Sequence, residues 1–138
     1  WGALMRAAGF GDWSRDRLAA HKRSVIPGGF FVVEHGPAGA LVATANAHHL
    51  ATDRHPEGGE LSFVVASPAH AGKGLGRAVT AAVVRRFLAA GYRSIYLKTD
   101  DHRLPAIKVY LQVGFEPLLF ADDMAVRWAA VNQALSKK

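Results

Sequence analysis

Apolar residues recur at every fourth position through Leu75, Val79, Val83 and Phe87, with Ala78, Ala82 and Ala90 beside them and Arg77, Arg85 and Arg86 off the stripe. That spacing gathers them on one face of an amphipathic helix, which Gly91 closes. Upstream the period changes. The runs FFVVEH (30–35), ALVATANAHHL (40–50) and ELSFVVAS (60–67) are rich in β-branched and aromatic residues, which suit a pleated, half-buried surface. Gly36-Pro37-Ala38-Gly39 separates the first two, so they predict a hairpin, and the third strand follows the polar connection ATDRHPEGG. Ahead of them, SRDRLAAHKRS (14–24) predicts a helix capped by Ser14 and stopped at Ile26-Pro27-Gly28-Gly29. Downstream, RSIYLKT (93–99) predicts a strand. Pro105 then suits the first turn of a helix running to Val113, Gly114 ends it, and FEPLLF (115–120) predicts a last strand. Met124, Trp128, Val131 and Leu135 share one face of a C-terminal helix. Helix, three strands, helix, strand, helix, strand, helix is a mixed α/β order.

Length adds that 138 residues, 50% of them hydrophobic, suffice for one domain with its own core, and no linker or repeat divides them. The absence of cysteine excludes disulfides, thiolate metal sites and a cysteine nucleophile, and points to a cytoplasmic setting. No apolar run reaches the ~20 residues that span a bilayer, so no membrane partner is expected. A net charge of +6 favours anionic partners. Nucleic acid fits poorly, because the basic residues are scattered among helices without an aromatic stacking pattern.

The third strand runs into HAGKGLGRAV (70–79), three glycines at alternate positions with a lysine among them, and then into the amphipathic helix. Glycines let backbone turn tightly and approach a ligand, and the first amides of a helix are unpaired donors in a positive field. The segment therefore reads as an anion cradle suited to a pyrophosphate, with Lys73 and Arg77 adding charge. A structural turn would account for the glycines alone. The loop lacks the G-x-x-x-x-G-K-[ST] pattern, and Arg77 stands at the third-glycine position of a dinucleotide fingerprint, which weakens nucleoside triphosphate and NAD readings.

VVASPAHAGKGLGRAV resembles the acetyl-CoA-binding segment of the GCN5-related N-acetyltransferases, which reads Arg/Gln-x-x-Gly-x-Gly/Ala between a strand and a long helix, and AIKVYLQVGFEP (106–117) is similar to that family's A-x-x-x-Y-x-x-x-G-F. The likeness covers about residues 30–120. It implies a GNAT-like mixed central sheet flanked by helices over a single domain, 1–138. Its usual first strand has no counterpart ahead of the N-terminal helix, since the chain opens on Trp1, and the C-terminal helix stands where the family normally has a further strand. The resemblance implies acetyl-CoA as co-substrate, no metal, and transfer to the primary amine of a small molecule ahead of a peptide or protein amine. Val64, Val65 and Ala66 match the strand that bonds the pantetheine arm, with the amide of Val64 or its neighbour a candidate oxyanion donor. Gly72, Lys73, Gly74, Leu75 and Gly76 match the pyrophosphate loop, with Ala71 and Arg77 at its two ends as further cofactor-binding candidates. Tyr110 matches the acid that protonates the leaving thiolate, and Glu60 falls where the histone-modifying branch places its base. Such a base is needed because an amine arrives protonated at neutral pH.

Two positions depart from the pattern. Ala71 stands where Arg or Gln usually opens the loop, and Arg103 stands where many members carry Asn, leaving Arg103 to reach a CoA phosphate or to pair with Asp100 or Asp101. The plainer readings are a core tyrosine at Tyr110, a surface carboxylate at Glu60, and a packed Trp13 where acceptor-site helices usually lie. His48 and His49 are adjacent on a strand and face opposite sides, so only one can enter a cleft, as a substrate contact or alternate base. Asp53, His55 and the two histidines lack metal-ligand spacing. An acyl-CoA-binding module without turnover is the alternative function, and the apolar tail helix suits either a second copy of the chain or packing within it.

Overall fold

The computed structural model describes residues 1–137, which form two compact units, Trp1–Leu97 and a second that takes up the chain from Lys98. Helices α1 (Gly2–Ala7) and α2 (Arg15–Ser24) lead into strands β1 (Val25–His35), β2 (Ala40–His49) and β3 (Gly59–Ala66); helix α3 (Leu75–Ala89) and strand β4 (Ile95–Tyr96) complete the first unit. The sheet order is β1-β2-β3-β4, antiparallel through β3 and parallel between β3 and β4. A parallel pair needs a crossover, and α3 supplies it. The side chain of Ser14 caps α2 by accepting from the Arg17 amide at 3.1 Å, as its sequence position predicts.

The stripe predicted on α3 is the stripe it buries: Val79, Val83 and Phe87 lie against the sheet, facing Ala43, Ala45 and Ala47 of β2, small residues that let the helix approach closely. The opposite side of the sheet carries an aromatic cluster in which Trp1, Phe10, Trp13 and Phe63 surround buried Leu4, Met5 and Val65. The rings of Trp1 and Trp13 meet edge to face at 4.8 Å, a favoured arrangement of their quadrupoles. The periodicity did not reveal α1, which is too short to show a repeat.

Three expectations are corrected. β1 starts at Val25 instead of Phe30, continuing through a register shift between Val25 and Phe30 that takes up the Pro27-Gly28-Gly29 segment. The strand expected over 93–99 narrows to Ile95–Tyr96, because parallel pairing holds only at Gly59–Ile95 and Glu60–Tyr96. The strand expected over 115–120 does not form. Pro117 removes a ladder donor from its middle, and Leu118, Leu119 and Phe120 are about half exposed. In the second unit, α4 (Leu104–Val113) begins with proline in its first turn and ends at Gly114, whose φ of 109° requires glycine, and α5 (Met124–Ser136) turns Val131 from solvent as predicted. Among the described residues no helix is long and apolar enough to cross a membrane.

Candidate active site

β3 combines a paired start with an open end. Its first residues are held on both sides, by β2 and by β4, and after Glu60 the β4 ladder ends. Two residues of β3, Phe63 and Val64, then stand opposite the single Ala45 of β2, forming a bulge in which Phe63 adopts φ 49°. A bulky residue with positive φ is strained, and such strain gathers where a strand is re-aimed at a ligand. Nothing in the sequence signals this bulge, since the position carries no glycine. Past it, the Ser67 amide donates to Val42 O at 2.7 Å, so the alternation of an extended strand turns the amide and carbonyl of Ala66 toward the edge that bears no strand. Val65 is buried in the core, Val64 is half-buried and Ala66 exposed, all consecutive on this edge.

The chain next makes a short 3-10 turn, Pro68–His70, and enters the glycine loop. Gly72 and Gly74 have φ 76° and 73°, and a Cβ at Gly72, Gly74 or Gly76 would meet no atom within 4 Å, so the loop is an exposed cradle with room beside it. Gly74 caps α3, and Ala78 is the first residue whose amide reaches a helix carbonyl, that of Gly74, at 3.0 Å. The amides of Leu75, Gly76 and Arg77 belong to the orphan first turn and carry the positive end of the helix. Lys73 and Arg77 are exposed beside them. These features fit a pyrophosphate by the donor chemistry alone. Ala71 contributes no side-chain donor, and its amide is already given to Pro68 O at 3.1 Å.

Glu60 is not a surface carboxylate: it is 8% exposed, and Oε2 lies 2.8 Å from Nδ1 of His48, its register partner on β2. His48 Nε2 in turn lies 2.9 Å from the Ser24 hydroxyl at the end of α2. His49 faces the other way, 2.7 Å from the Tyr92 hydroxyl. The alternation rule thus separated the two histidines, but only the fold chose which one meets the carboxylate. His21, which the sequence did not single out, packs against His48 with ring centres 5.2 Å apart and against Phe63 at 5.0 Å. Burial, followed by the neighbouring His48, lowers its pKa to about 4, with Glu60 opposing the shift. Among the described residues four buried polar side chains in this unit, Trp13 through Nε1, His21 through Nε2, Asn46 through both amide atoms and Thr80 through Oγ1, have no hydrogen-bond partner. The Tyr96 hydroxyl is anchored on Leu50 O at 2.7 Å, and burial followed by Glu60 raises its pKa. Glu57 accepts the amides of Arg93 and Ser94 at 2.8 and 2.7 Å, which fixes the entry into β4 beside Glu60.

His21 makes acid stability a readout of this environment. The ring stays neutral in the fold while its unfolded counterpart titrates near 6.5. As pH falls through 6.5 the unfolded chain takes up a proton that the folded one refuses, so stability present above that pH drains away down to about 4. Solvent screening at a half-buried ring reduces the loss to about 1–2 kcal/mol. Urea unfolding at about pH 7 and about pH 5 measures it, with His21→Phe expected to narrow the difference. An equal loss in both proteins would place the acid sensitivity elsewhere.

Tyr110 and Arg103 belong to the second unit. Tyr110 is on α4, its ring edge-on to Phe115 with centres 6.2 Å apart; burial pushes its pKa up, opposed by Arg103, so the hydroxyl keeps its proton. Arg103 pairs with Asp100 at 2.9 Å, the local alternative to a phosphate contact. Asp101 is held by Arg127 of α5 at 2.8 Å, which lowers its pKa. Among the described residues no three histidine, aspartate or glutamate side chains gather as a metal cage.

A mixed sheet whose bulged third strand delivers the chain to a glycine cradle and a helix N-terminus, with a buried carboxylate at the strand's start, defines an α/β protein whose cradle has the donor chemistry for an anion. The profile of the acetyltransferase (GNAT) family matches residues 3–115, and the chain belongs to that family. It is 32% identical over 127 residues to a mycothiol acetyltransferase of Frankia casuarinae, covering 86% of this chain and 36% of the relative. The chain thus spans about a third of the length of the curated relatives it matches. The structure is similar to glucosamine-6-phosphate N-acetyltransferase from Arabidopsis thaliana, with TM-score 0.64 at 16% identity over 87% of this chain and 86% of the other. An acetyltransferase of Trypanosoma brucei matches with TM-score 0.62 at 23% identity over 86% and 84%. These two likenesses concern the fold.

Proposed function

We propose that residues 1–138 act as one acetyltransferase domain that transfers an acetyl group from acetyl-CoA to the primary amine of a small molecule, with a cytoplasmic setting. The observation that carries this reading is the single path of β3, from the buried Glu60 through the Phe63 bulge to the open cradle at 72–76. The strand edge at Val64, Val65 and Ala66 suits the amide-bearing arm of the cofactor, and the first amides of α3, with Lys73 and Arg77, suit its pyrophosphate. Glu60 takes the proton from the arriving ammonium, and the freed lone pair attacks the thioester carbonyl carbon. The C–N bond forms, the nitrogen gives up its second proton, the C–S bond breaks, and Tyr110 donates a proton to the departing sulfur and regains one from solvent. The mycothiol acetyltransferases among the relatives are named for a small molecule, which supports that class over a protein amine.

Calorimetric titration with acetyl-CoA, CoA and ATP tests the cradle, and CoA release from a panel of amino sugars, polyamines and peptides tests the transfer. Binding of acetyl-CoA and CoA but not ATP, with turnover on a small amine, is expected. Cofactor binding with no turnover on any amine would favour an acyl-CoA-binding module. Tyr110→Phe is expected to lower kcat by about tenfold while acetyl-CoA affinity holds. The loss is modest because a thiol with a pKa of about 8.5 leaves readily without an acid. Unchanged turnover rejects Tyr110 as the acid.

A further inference from the structure

We infer that His48 is a positioning residue that takes over the proton collected by Glu60, with Ser24 holding the imidazolium it becomes. This rests on the reading of Glu60 as the base. The hydrogen-bond directions carry the inference. When the Ser24 hydroxyl turns its single proton to the carbonyl of His21, one turn back on α2 and 2.9 Å away, its lone pairs face the imidazole. What it then offers His48 Nε2, 2.9 Å away, is a lone pair. The other ring nitrogen, Nδ1, faces a carboxylate oxygen at 2.8 Å. Both nitrogens then look at acceptors, and only the doubly protonated ring donates to both. A neutral ring protonated on Nδ1 is met by rotation of the same hydroxyl toward Nε2, so the pocket satisfies the ring both before and after it takes up a proton.

The groups around the ring agree with this arrangement. From β3 it is faced by Glu60; from α2 by Ser24 and by His21, whose burial keeps it neutral and out of competition for the proton. From β4, Tyr96 lies in the field of Glu60, which helps keep its hydroxyl protonated, and that hydroxyl is committed to Leu50 O. The proton count of the transfer gives such a store a use. The nitrogen loses two protons per turnover, one as ammonium becomes amine and one after the C–N bond forms, while a single proton goes to sulfur. Tyr110 regains from solvent the proton it gives to sulfur, so both nitrogen protons leave through the base, and passing the first to His48 restores the Glu60 carboxylate for the second.

Two measurements test the inference, and each variant is first checked for a parent-like melt. In the free protein at mildly acidic pH, the proton NMR spectrum is expected to show two slowly exchanging low-field ring protons of His48; Glu60→Gln shifts the Nδ1 proton and Ser24→Ala loses the Nε2 proton. Absence of both signals, or signals indifferent to the two substitutions, overturns the assignment. With acetyl-CoA and the best amine of the panel, His48→Gln is expected to lower kcat about tenfold or more, to leave the KM for acetyl-CoA in place and to change the shape of the pH–rate profile. The Glu60→Gln, His48→Gln double variant should be no slower than Glu60→Gln alone. If Glu60→Gln is slow but His48→Gln keeps the parent's profile, the role of His48 fails and that of Glu60 stands. If Glu60→Gln itself leaves the profile untouched, the base reading fails and takes the relay with it.

Discussion

Replacing Glu60 with Gln should slow acetyl transfer by about 100-fold or more while leaving acetyl-CoA affinity unchanged. The amide preserves the size and the carbonyl acceptor facing His48 Nδ1, so the neighbouring hydrogen bond keeps a partner, and only the ability to accept a proton is lost. An ammonium group has no lone pair with which to attack, and without a base the reaction depends on the small fraction of amine already deprotonated. That dependence gives the test its shape. The deficit should be largest near neutrality and shrink as pH rises toward the amine's own pKa, where solvent removes the proton instead. Steady-state rates of CoA release across that range, with calorimetry for the cofactor, separate the two effects. A uniform loss at every pH would assign Glu60 a positioning role, and no loss would move the base elsewhere.

Gly74→Val should weaken acetyl-CoA binding by about tenfold or more, with the protein still folded. The φ of 73° at this position is a left-handed conformation that costs a side-chain-bearing residue roughly 1–2 kcal/mol, more for a β-branched one. Because an added Cβ meets no atom within 4 Å, the penalty is conformational instead of a clash. The loop can relieve it only by rotating out of the geometry that aims the first amides of α3 into one space. Calorimetric affinity beside a thermal melt decides the matter: an unchanged Kd would mean that the loop amides do not hold the anion. Gly76 is the internal comparison. It sits in ordinary helical backbone with the same open surroundings, so Gly76→Ala should keep affinity and gain a few tenths of a kcal/mol from helix propensity.

Much of this chain could be read in one dimension. A four-residue stripe made α3 an amphipathic helix, the alternating β-branched runs made the hairpin and β3, and glycines flanking lysine made the cradle, because each of these depends on neighbours within a turn or a strand. The positions of Val64, Val65, Ala66, the loop and Glu60 follow from that local order, and the relatives agree on the family. Where partners come from distant sequence, local reading failed. FEPLLF has strand composition, yet a strand exists only by pairing, and Pro117 withholds a donor from the middle of the run. RSIYLKT has the same composition and keeps only two paired residues, since the ladder to β3 ends after Glu60.

The site divides along the same line. The sequence by itself determined that a carboxylate begins β3, that a glycine cradle follows it, and that His48 and His49 must point to opposite faces. Only the tertiary structure decided that Glu60 is buried, that His48 is its partner, and that Ser24 and His21 close around that pair from a helix more than 20 residues away in sequence. The reason is physical: burial and hydrogen-bond direction are set by which backbone registers align, and the register of β2 against β3 brings His48 opposite Glu60. A residue's type gives it the capacity to hold a proton; its neighbours across the sheet decide where the proton goes.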